Sequence, residues 1–431
     1  MSSWKQVRFS EICDITRGGS PRPIQEYMTN DGVPWIKISD ATASNSRFIE
    51  KTKEFIKTSG ISKSREVFPD DLILSNSATP GIPKFMRIYA CIHDGWLLLR
   101  NFNGAEKEFI YWLLLNERDK LIQQGNGSVF TNLKTDILKN HIVNIPDDIE
   151  EQKRIATILN NIQEKIELNT QINQTLEQIA QTIFKSWFID FDPVHAKANA
   201  LASGQTLEQA TQAVMAVISG KNTQELHRLQ TANPEQYQQL WEIAEAFPSG
   251  FDEEGVPRGW EERYLKDVCN IVYGKGLPKN KLTEKGFYVF GANGVIGFYD
   301  SYTYEKPQVL IGCRGTVGQV TLSYPYSFVT NNSLVIEYEN SCVSMYYLEK
   351  YLSNINLKEI SSGSVQPQIT IQNMSKVKIL IPNIEILNFY SEKVKEIYDK
   401  RLNHFYENQS LSKVRDLLLP KLLSGEILNG N

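Results

Sequence analysis

The sequence predicts an α+β protein built by internal pseudo-twofold duplication: two similar globular domains joined by two long antiparallel coiled-coil helices. Three observations lead there. The stretch Glu150 to Trp187 has no Gly and no Pro, and its apolar residues recur at spacings of three and four, the pattern of a long helix packed along one face. Residues 384–424 repeat that pattern more weakly. Finally, WKQVRFSEICDITRGGSP near residue 4 returns as WEERYLKDVCNIVYGKGLP near residue 260, an internal repeat that marks a duplicated unit.

The repeat is collinear. At an offset of 256, Trp4 meets Trp260, Phe9 meets Leu265, Ile12 meets Val268, Cys13 meets Cys269, Ile15 meets Ile271 and Gly18 meets Gly274. LILSNSATPG (72–81) matches VLIGCRGTVG (309–318) at an offset of 237, with Thr79 on Thr316 and Gly81 on Gly318. GSVFTNL (127–133) matches GSVQPQI (363–369) at an offset of 236, and Pro146 meets Pro382. Small changes of offset between ordered blocks are loop deletions, so each unit is a globular block followed by a long helix. The resulting division is a first domain at 1–148, a central helix at 149–189, an acidic helical insertion and linker at 190–259, a second domain at 260–382 and a C-terminal helix at 383–425. GANGVIGFYD (291–300) and TNNS (330–333) have no clear counterpart in the first copy.

Within the blocks, short apolar runs such as Trp35–Ser39 and Lys306–Ile311 predict strands, and Phe109–Leu115 and Met345–Leu352 predict helices. In the central helix, Ile155, Ile162, Leu176 and Ile183 form one seam position and Ile158, Ile172 and Ile179 the other. Asn169 interrupts the seam, where a buried Asn fixes register at some cost in stability. Pro146, Asp147 and Asp148 supply the start signal, and at ~1.5 Å per residue the helix is about 55 Å long. The C-terminal helix uses Tyr390, Val394, Ile397, His404, Leu411 and Leu418, between Pro382 and Gly425. Pro420 is expected to break or kink it near its end. The competing description is two ordinary core helices.

The 431 residues suffice for two or three domains, and 41% hydrophobic with 22% charged residues is an ordinary soluble composition. The apolar run near Phe109–Leu115 is too short to span a bilayer, and MSSWKQVRFS is no signal peptide. Cys13, Cys91, Cys269, Cys313 and Cys342 have no CxxC spacing and read as reduced cysteines of a cytoplasmic protein. The net charge of −4 is unevenly distributed. Residues 186–259 carry 4 basic against 10 acidic side chains, whereas 1–148 carry 19 against 18 and 260–382 carry 12 against 10. Nucleic-acid binding must therefore come from local basic loops of the two domains.

No catalytic set is present. There is no P-loop, no Gly-rich loop in a βαβ context and no NPPY-like or DPPY-like tetrapeptide, and DFDPVH (190–195) sits at a helix end before an acidic segment. The five histidines show no metal-ligand spacing. Loops fit DNA better. RGGSPR (17–22) and YGKGLPKNK (273–281) occupy equivalent places, and their small residues admit a phosphate backbone. From them Arg17, Gly18, Ser20, Arg22, Tyr273, Lys275, Lys279, Asn280 and Lys281 are candidate DNA contacts. The second pair of loops contributes Ser75, Asn76, Ser77 and Thr79, with nearby Lys84, and Arg314 and Thr316; these offer donors and acceptors for base edges. The third pair contributes Ser128, Asn132 and Lys134, and Ser364, Gln366 and Gln368. Asn293, Asn331 and Asn332 complete the set. Each such loop taken alone is equally well an ordinary turn, and Gly81 and Gly318 are better explained by a tight turn. Ala78 and Pro80 stand where the second copy has Gly315 and Val317, so the first copy of that loop is the less secure one.

IPDDIEEQKRIATIL (145–159), IFKSWFIDFDPV (183–194), FPSGFDEEGVPRGW (247–260) and RDLLLPKLLSGEI (415–427), with the duplicated GTVG and GSV loops, resemble the specificity subunits of type I restriction–modification enzymes along nearly the whole chain. That resemblance implies two target recognition domains and two helices that pair antiparallel and dock two methyltransferase subunits, joined by restriction (translocase–nuclease) subunits. It implies double-stranded DNA as ligand, no membrane, and no cofactor on this chain, with S-adenosylmethionine, ATP and Mg belonging to the partner subunits. The expected role is a non-enzymatic reader of an asymmetric bipartite DNA target. Two alternatives stay open: a single-chain methyltransferase or nuclease with unrecognised motifs, and a coiled-coil scaffold that binds no DNA.

Overall fold

The computed structural model describes residues 3–42, 46–124, 132–363 and 366–426. They form two compact units, Met1–Ile172 with His404–Asn431, and Asn173–Asn403. Each long helix begins in one unit and ends in the other.

In the first unit, strand Trp4–Arg8 pairs antiparallel with Ile142–Pro146, so the domain opens and closes on one ribbon. A five-stranded sheet runs Asp14–Arg17, Trp96–Arg100, Leu72–Ser75, Pro83–Met86, Phe48–Ile49. A second has Val33–Ile36 beside Ala90–Ile92 near its centre. The central strands LILS and WLLLR are apolar on both faces up to their last residues, Ser75 and Arg100, because the first sheet is covered on both faces. Leu72, Leu74, Leu97 and Leu99 pack with helix residues Phe109, Ile110 and Leu113, while Ile73, Trp96 and Leu98 pack with Ile36 and Ile92 of the other sheet.

The second unit repeats this plan. Glu261–Tyr264 pairs with Lys378–Ile381, and one sheet runs Asn270–Tyr273, Ser333–Glu337, Val309–Gly312, Val320–Leu322. Val309, Ile311, Leu334 and Ile336 face the main core, and Leu310 and Val335 face Phe290 and Val329 of the smaller sheet. The duplication holds at the level of register. Leu72 opposes Leu99 as Val309 opposes Ile336, and Lys5 opposes Ile145 as Glu261 opposes Ile381. TNNS does have a counterpart, contrary to expectation: Thr330–Ser333 leads into Ser333–Glu337 as His93–Trp96 leads into Trp96–Arg100. Backbone equivalence survives there although no side chain matches, because the strands on either side set the path.

Helices Ile149–Phe188 and Ile384–Leu423 are 40 residues each, and within each unit their segments pair antiparallel. In the first unit Arg415 donates to Gln163 at 2.5 Å, and Asn169 donates to Glu407 at 2.7 Å and to Asn408 at 2.9 Å. In the second unit Asn173 donates to the Arg401 carbonyl at 3.1 Å, Arg401 pairs with Glu177 at 2.5 Å, and Phe184, Trp187 and Phe188 pack around Tyr390. Asn169 is fully buried, as a seam Asn should be.

Ile155 is fully buried in the first core as expected, but other positions of the expected seam are corrected. Ile179 is 44% exposed and Ile158, Ile162 and Ile172 are half-buried, whereas Leu159, Gln163, Ile166, Ala180, Phe184 and Trp187 turn inward. The domain cores at the helix ends decide this, since Leu159 joins the first and Phe184 the second, and polar side chains long enough to bond across fill the middle. Pro420 does not stop the C-terminal helix, which runs to Leu423. Leu422 and Leu423 are buried in the first unit's core, and that burial holds the last turn helical past the proline.

The insertion is four helices, Asp192–Ala202, Leu207–Ser219, Thr223–Ala232 and Pro234–Ala246. Thr206, Asn222 and Asn233 cap three of them through backbone N–H groups. Buried Lys197 donates to the Glu245 and Phe247 carbonyls at 2.8 and 2.7 Å, closing the last helix. DFDPVH is structural: Pro193 lies in the first turn of its helix, where a missing N–H costs nothing, and the His195 ring lies 4.5 Å from that of Phe251.

Candidate nucleic-acid interface

Strand register brings the candidate loops together. Arg17 opposes Leu97 and Ser75 opposes Trp96, so the loops after Arg17, after Ser75 and before Trp96 leave the same end of the sheet. Gly18 N–H donates to the Trp96 carbonyl at 2.9 Å, Asn76 N–H to Gly95 at 2.8 Å, and Leu133 N–H to Asn76 at 2.8 Å. The second unit makes the same three bonds: Gly274 to Ser333 at 3.1 Å, Cys313 to Asn332 at 2.9 Å, and Ile369 to Cys313 at 3.1 Å. Gly18 and Gly274 are required by close approach. A Cβ there would sit 2.0 Å from the His93 oxygen and 2.3 Å from the Thr330 oxygen. The loops LILSNSATPG and VLIGCRGTVG also share a backbone, with Ala78 and Gly315 both left-handed and Gly81 and Gly318 both left-handed. Ala78 is thus no departure in conformation; it adopts the glycine-like geometry as a strained residue.

In the first domain the side chains border a cleft of about 890 Å³, lined among others by Ser20, Arg22, Lys37, Ser39, Ser77 and His93. Asp94 organises it. Ser20 donates to its carboxylate at 2.6 Å, Arg17 Nε donates to its carbonyl at 2.8 Å, and the Arg22 guanidinium lies 3.6 Å away. The Ser20 bond, with His93 and Arg17 nearby, holds the Asp94 carboxyl below its ordinary range. Burial depresses His93, against the pull of Asp94. Its Nδ1 accepts the Gly95 N–H at 2.8 Å, so the neutral ring carries its proton on Nε2, a donor suited to a base-edge acceptor.

In the second domain Asn331 takes the place of Asp94 at the same offset of 237. Tyr273, Lys275, Lys279, Asn280, Lys281, Arg314, Thr316, Asn331 and Asn332 are all exposed there. The Lys275 and Asn331 backbones join through an N–H to carbonyl bond of 3.1 Å. Asn293, Gln366 and Gln368 are exposed, and Gln368 is pinned by two backbone bonds of 2.9 Å to Ser362. In the first domain Asn132 and Lys134 are exposed. Ser128 and Ser364 lie outside the described residues.

Three expected contacts are structural instead. The buried Ser75 hydroxyl donates to the Thr79 carbonyl at 2.6 Å and accepts the Ile82 N–H at 2.8 Å, which closes the turn. Buried Asn76 donates to the Asp94 carbonyl at 3.2 Å. Lys84 is buried on strand Pro83–Met86, its ammonium donates to the Ser46 carbonyl, and burial lowers it to about 8. Lys84 is only 5% exposed, so its ammonium is spent inside the domain and is not presented to a ligand. Lys37, Ser39 and His93 were missed. His93 was within reach, since extending the offset of 237 from LILSNSATPG would have set it on Thr330.

The family model for the type I restriction modification DNA specificity domain matches twice, at residues 1–178 and 257–412. This chain belongs to that family. The helical insertion falls between the two matches. The type I restriction enzyme HindI specificity subunit of Haemophilus influenzae is 34% identical over 468 residues, covering 99% of this chain and 100% of that one. The MjaIX specificity subunit of Methanocaldococcus jannaschii is 24% identical over 452 residues, covering 98% and 93%. The crystal structure of a type I restriction–modification system S subunit from M. genitalium superposes with a TM-score of 0.55 at 16% identity, covering 98% and 96%, a likeness of fold. Among the described residues no helix is long and apolar enough to cross a membrane.

Proposed function

We propose that this specificity-family chain reads an asymmetric bipartite DNA target, one half-site per domain, and acts as the non-catalytic scaffold of a type I restriction–modification complex. The observation that carries this is the pair of loop clusters with one backbone hydrogen-bond pattern and different side chains. A common frame with different donors and acceptors is what two different half-sites require.

Arg17, Arg22, Lys275, Lys279 and Lys281 neutralise phosphates; Gly18 serves the packing of the loops and not a contact of its own. Ser20, Ser77, Thr79 and Asn132 with Lys134 face the first half-site. Arg314, Thr316, Asn331, Asn332, Gln366 and Gln368 face the second, with Tyr273 and Asn280 at its margin. The relatives are named as specificity subunits of type I restriction enzymes, which supports assembly with the other subunits of such an enzyme. The resemblance of the sequence makes these methyltransferase and restriction subunits. S-adenosylmethionine, ATP and Mg then act on those partners.

The test is methylome sequencing of cells expressing this chain with its methyltransferase subunit. The expected result is a non-palindromic motif of two short halves around an unread gap. A continuous or palindromic motif, or methylation by the purified chain alone, overturns the proposal.

A further inference from the structure

The second domain carries a tight hairpin where the first joins the equivalent antiparallel strands, Val33–Ile36 and Phe55–Ile56, by a much longer connection. Strands Phe287–Gly291 and Gly294–Tyr299 pair antiparallel around the two-residue turn Ala292-Asn293, with Gly291 opposite Gly294. In the first domain strand Val33–Ile36, which pairs in parallel with Ala90–Ile92 as Phe287–Gly291 pairs with Phe328–Val329, leads instead to the short helix Ile38–Thr42.

The hairpin tip sits on the loop cluster. A Cβ on Gly312 would lie 2.6 Å from the Ala292 carbonyl oxygen, Thr330 N–H donates to the Phe290 carbonyl at 2.9 Å, and Lys275 N–H donates to Val329 at 2.9 Å. The tip therefore adjoins the loops that carry Lys275, Arg314 and Asn331. Val295 is 44% and Ile296 47% exposed, and Asn293 between the strands is exposed as well. One exposed aliphatic residue is ordinary. Two in succession beside an exposed amide, on a narrow ribbon flanked by cations, match the chemistry of a major groove. That groove is roughly 12 Å wide and admits a two-stranded ribbon. It offers adenine N6 and N7 to an Asn amide and the thymine methyl to branched aliphatic side chains.

We infer that the hairpin Phe287–Tyr299 enters the major groove and reads an A·T pair of the second half-site. Asn293 takes the adenine edge, and Val295 and Ile296 cover the thymine methyl. This rests on the bipartite reading above. The first domain, with a helix and a cleft in that place, reads its half with a different element.

The experiment uses the full chain in complex with its methyltransferase. Asn293→Ala is expected to relax one position of the second half-site, other than the methylated base, by roughly 5- to 150-fold in discrimination. Uracil in place of thymine at that position removes the methyl group. It should weaken wild-type binding and have no further effect on the V295S/I296S double variant. Unchanged discrimination in Asn293→Ala, or uniform weakening on every sequence, overturns the inference. Where a variant does not assemble, the uracil scan of the wild-type complex decides: a second half-site with no uracil-sensitive position overturns it. A wild-type complex that yields no bipartite motif overturns the wider reading and this inference with it. A bipartite motif read identically by variants and wild type overturns this inference alone.

Discussion

Gly274→Ala should damage the second half-site without touching the first. The added methyl group would lie 2.3 Å from the Thr330 oxygen, 2.6 Å from the Val329 oxygen and 2.7 Å from the Thr330 carbonyl carbon. All three are backbone atoms, so no side-chain rotation relieves the contact. Ordinary contact begins near 3.4 Å, and the two loops must part by roughly 1 Å, at a cost of about 1–3 kcal/mol of overpacking. Those loops carry Lys275 on one side and Asn331 and Asn332 on the other. A recognition group tolerates displacement of only about 0.5 Å, so the contacts it makes are lost, worth about 1–3 kcal/mol for each base pair read. Duplex binding by the methyltransferase complex should fall roughly 5- to 150-fold. The methylome should lose letters in one half only. Gly18→Ala, with its methyl 2.0 Å from the His93 oxygen, should do the same to the other half. Wild-type binding and motif in both variants, or loss of letters in both halves from either one, would refute the reasoning.

Four further outcomes are expected. Replacing residues 260–382 by the corresponding block of a relative should exchange one half-site in the methylome and leave the other; a change in both counts against one reader per domain. Lys350 is 1% exposed and bonds Glu177, with Glu349 at 3.0 Å, so Lys350→Met should cost about 3 kcal/mol and lower the melting temperature by about 6–12 °C. Burial alone would raise the Glu177 carboxyl, but Lys350 and Arg401 hold it below its ordinary value; its stabilisation is complete above that value and is lost as acid titrates it, so the melting gap should narrow at low pH. Burial lowers Lys84 from 10.5 to about 8, so the unfolded chain binds the extra proton between those values and stability rises with pH across that window; Lys84→Met should flatten the rise, seen in melts at neutral and alkaline pH, and leave the motif unchanged. Leu417 is 68% exposed on the C-terminal helix, and Leu417→Asp should weaken co-purification with the methyltransferase at an unchanged melting temperature, whereas truncation after Asn408 would also strip buried Leu422 and Leu423 from the first core.

The duplication was legible because it is written in spacing. Offsets of 256, 237 and 236 read from the chain reappear as strand registers, since hydrogen-bonded pairs conserve residue count even where side chains have drifted. The long helices were legible for a similar local reason: 40 residues free of internal breakers, until Pro420, have one regular structure available.

Tertiary structure decided what local pattern could not. Which face of the central helix turns inward depended on the cores at its two ends, and these chose Leu159 and Phe184 over Ile162 and Ile179. Lys84 and Arg22 look alike as single basic residues near glycine loops, yet one is buried inside a sheet and the other is 79% exposed at a cleft. His93 takes its tautomer from the nearby Gly95 N–H, but its place on a cleft with Trp35 and Ser77 depends on residues far apart in sequence. Spacing along the chain was enough to determine the repeated units and their order, whereas the counterpart of TNNS emerged only from strand pairing. Which loop side chains reach solvent, and which merely close a turn, depended on neighbours brought together only by the pairing of distant strands.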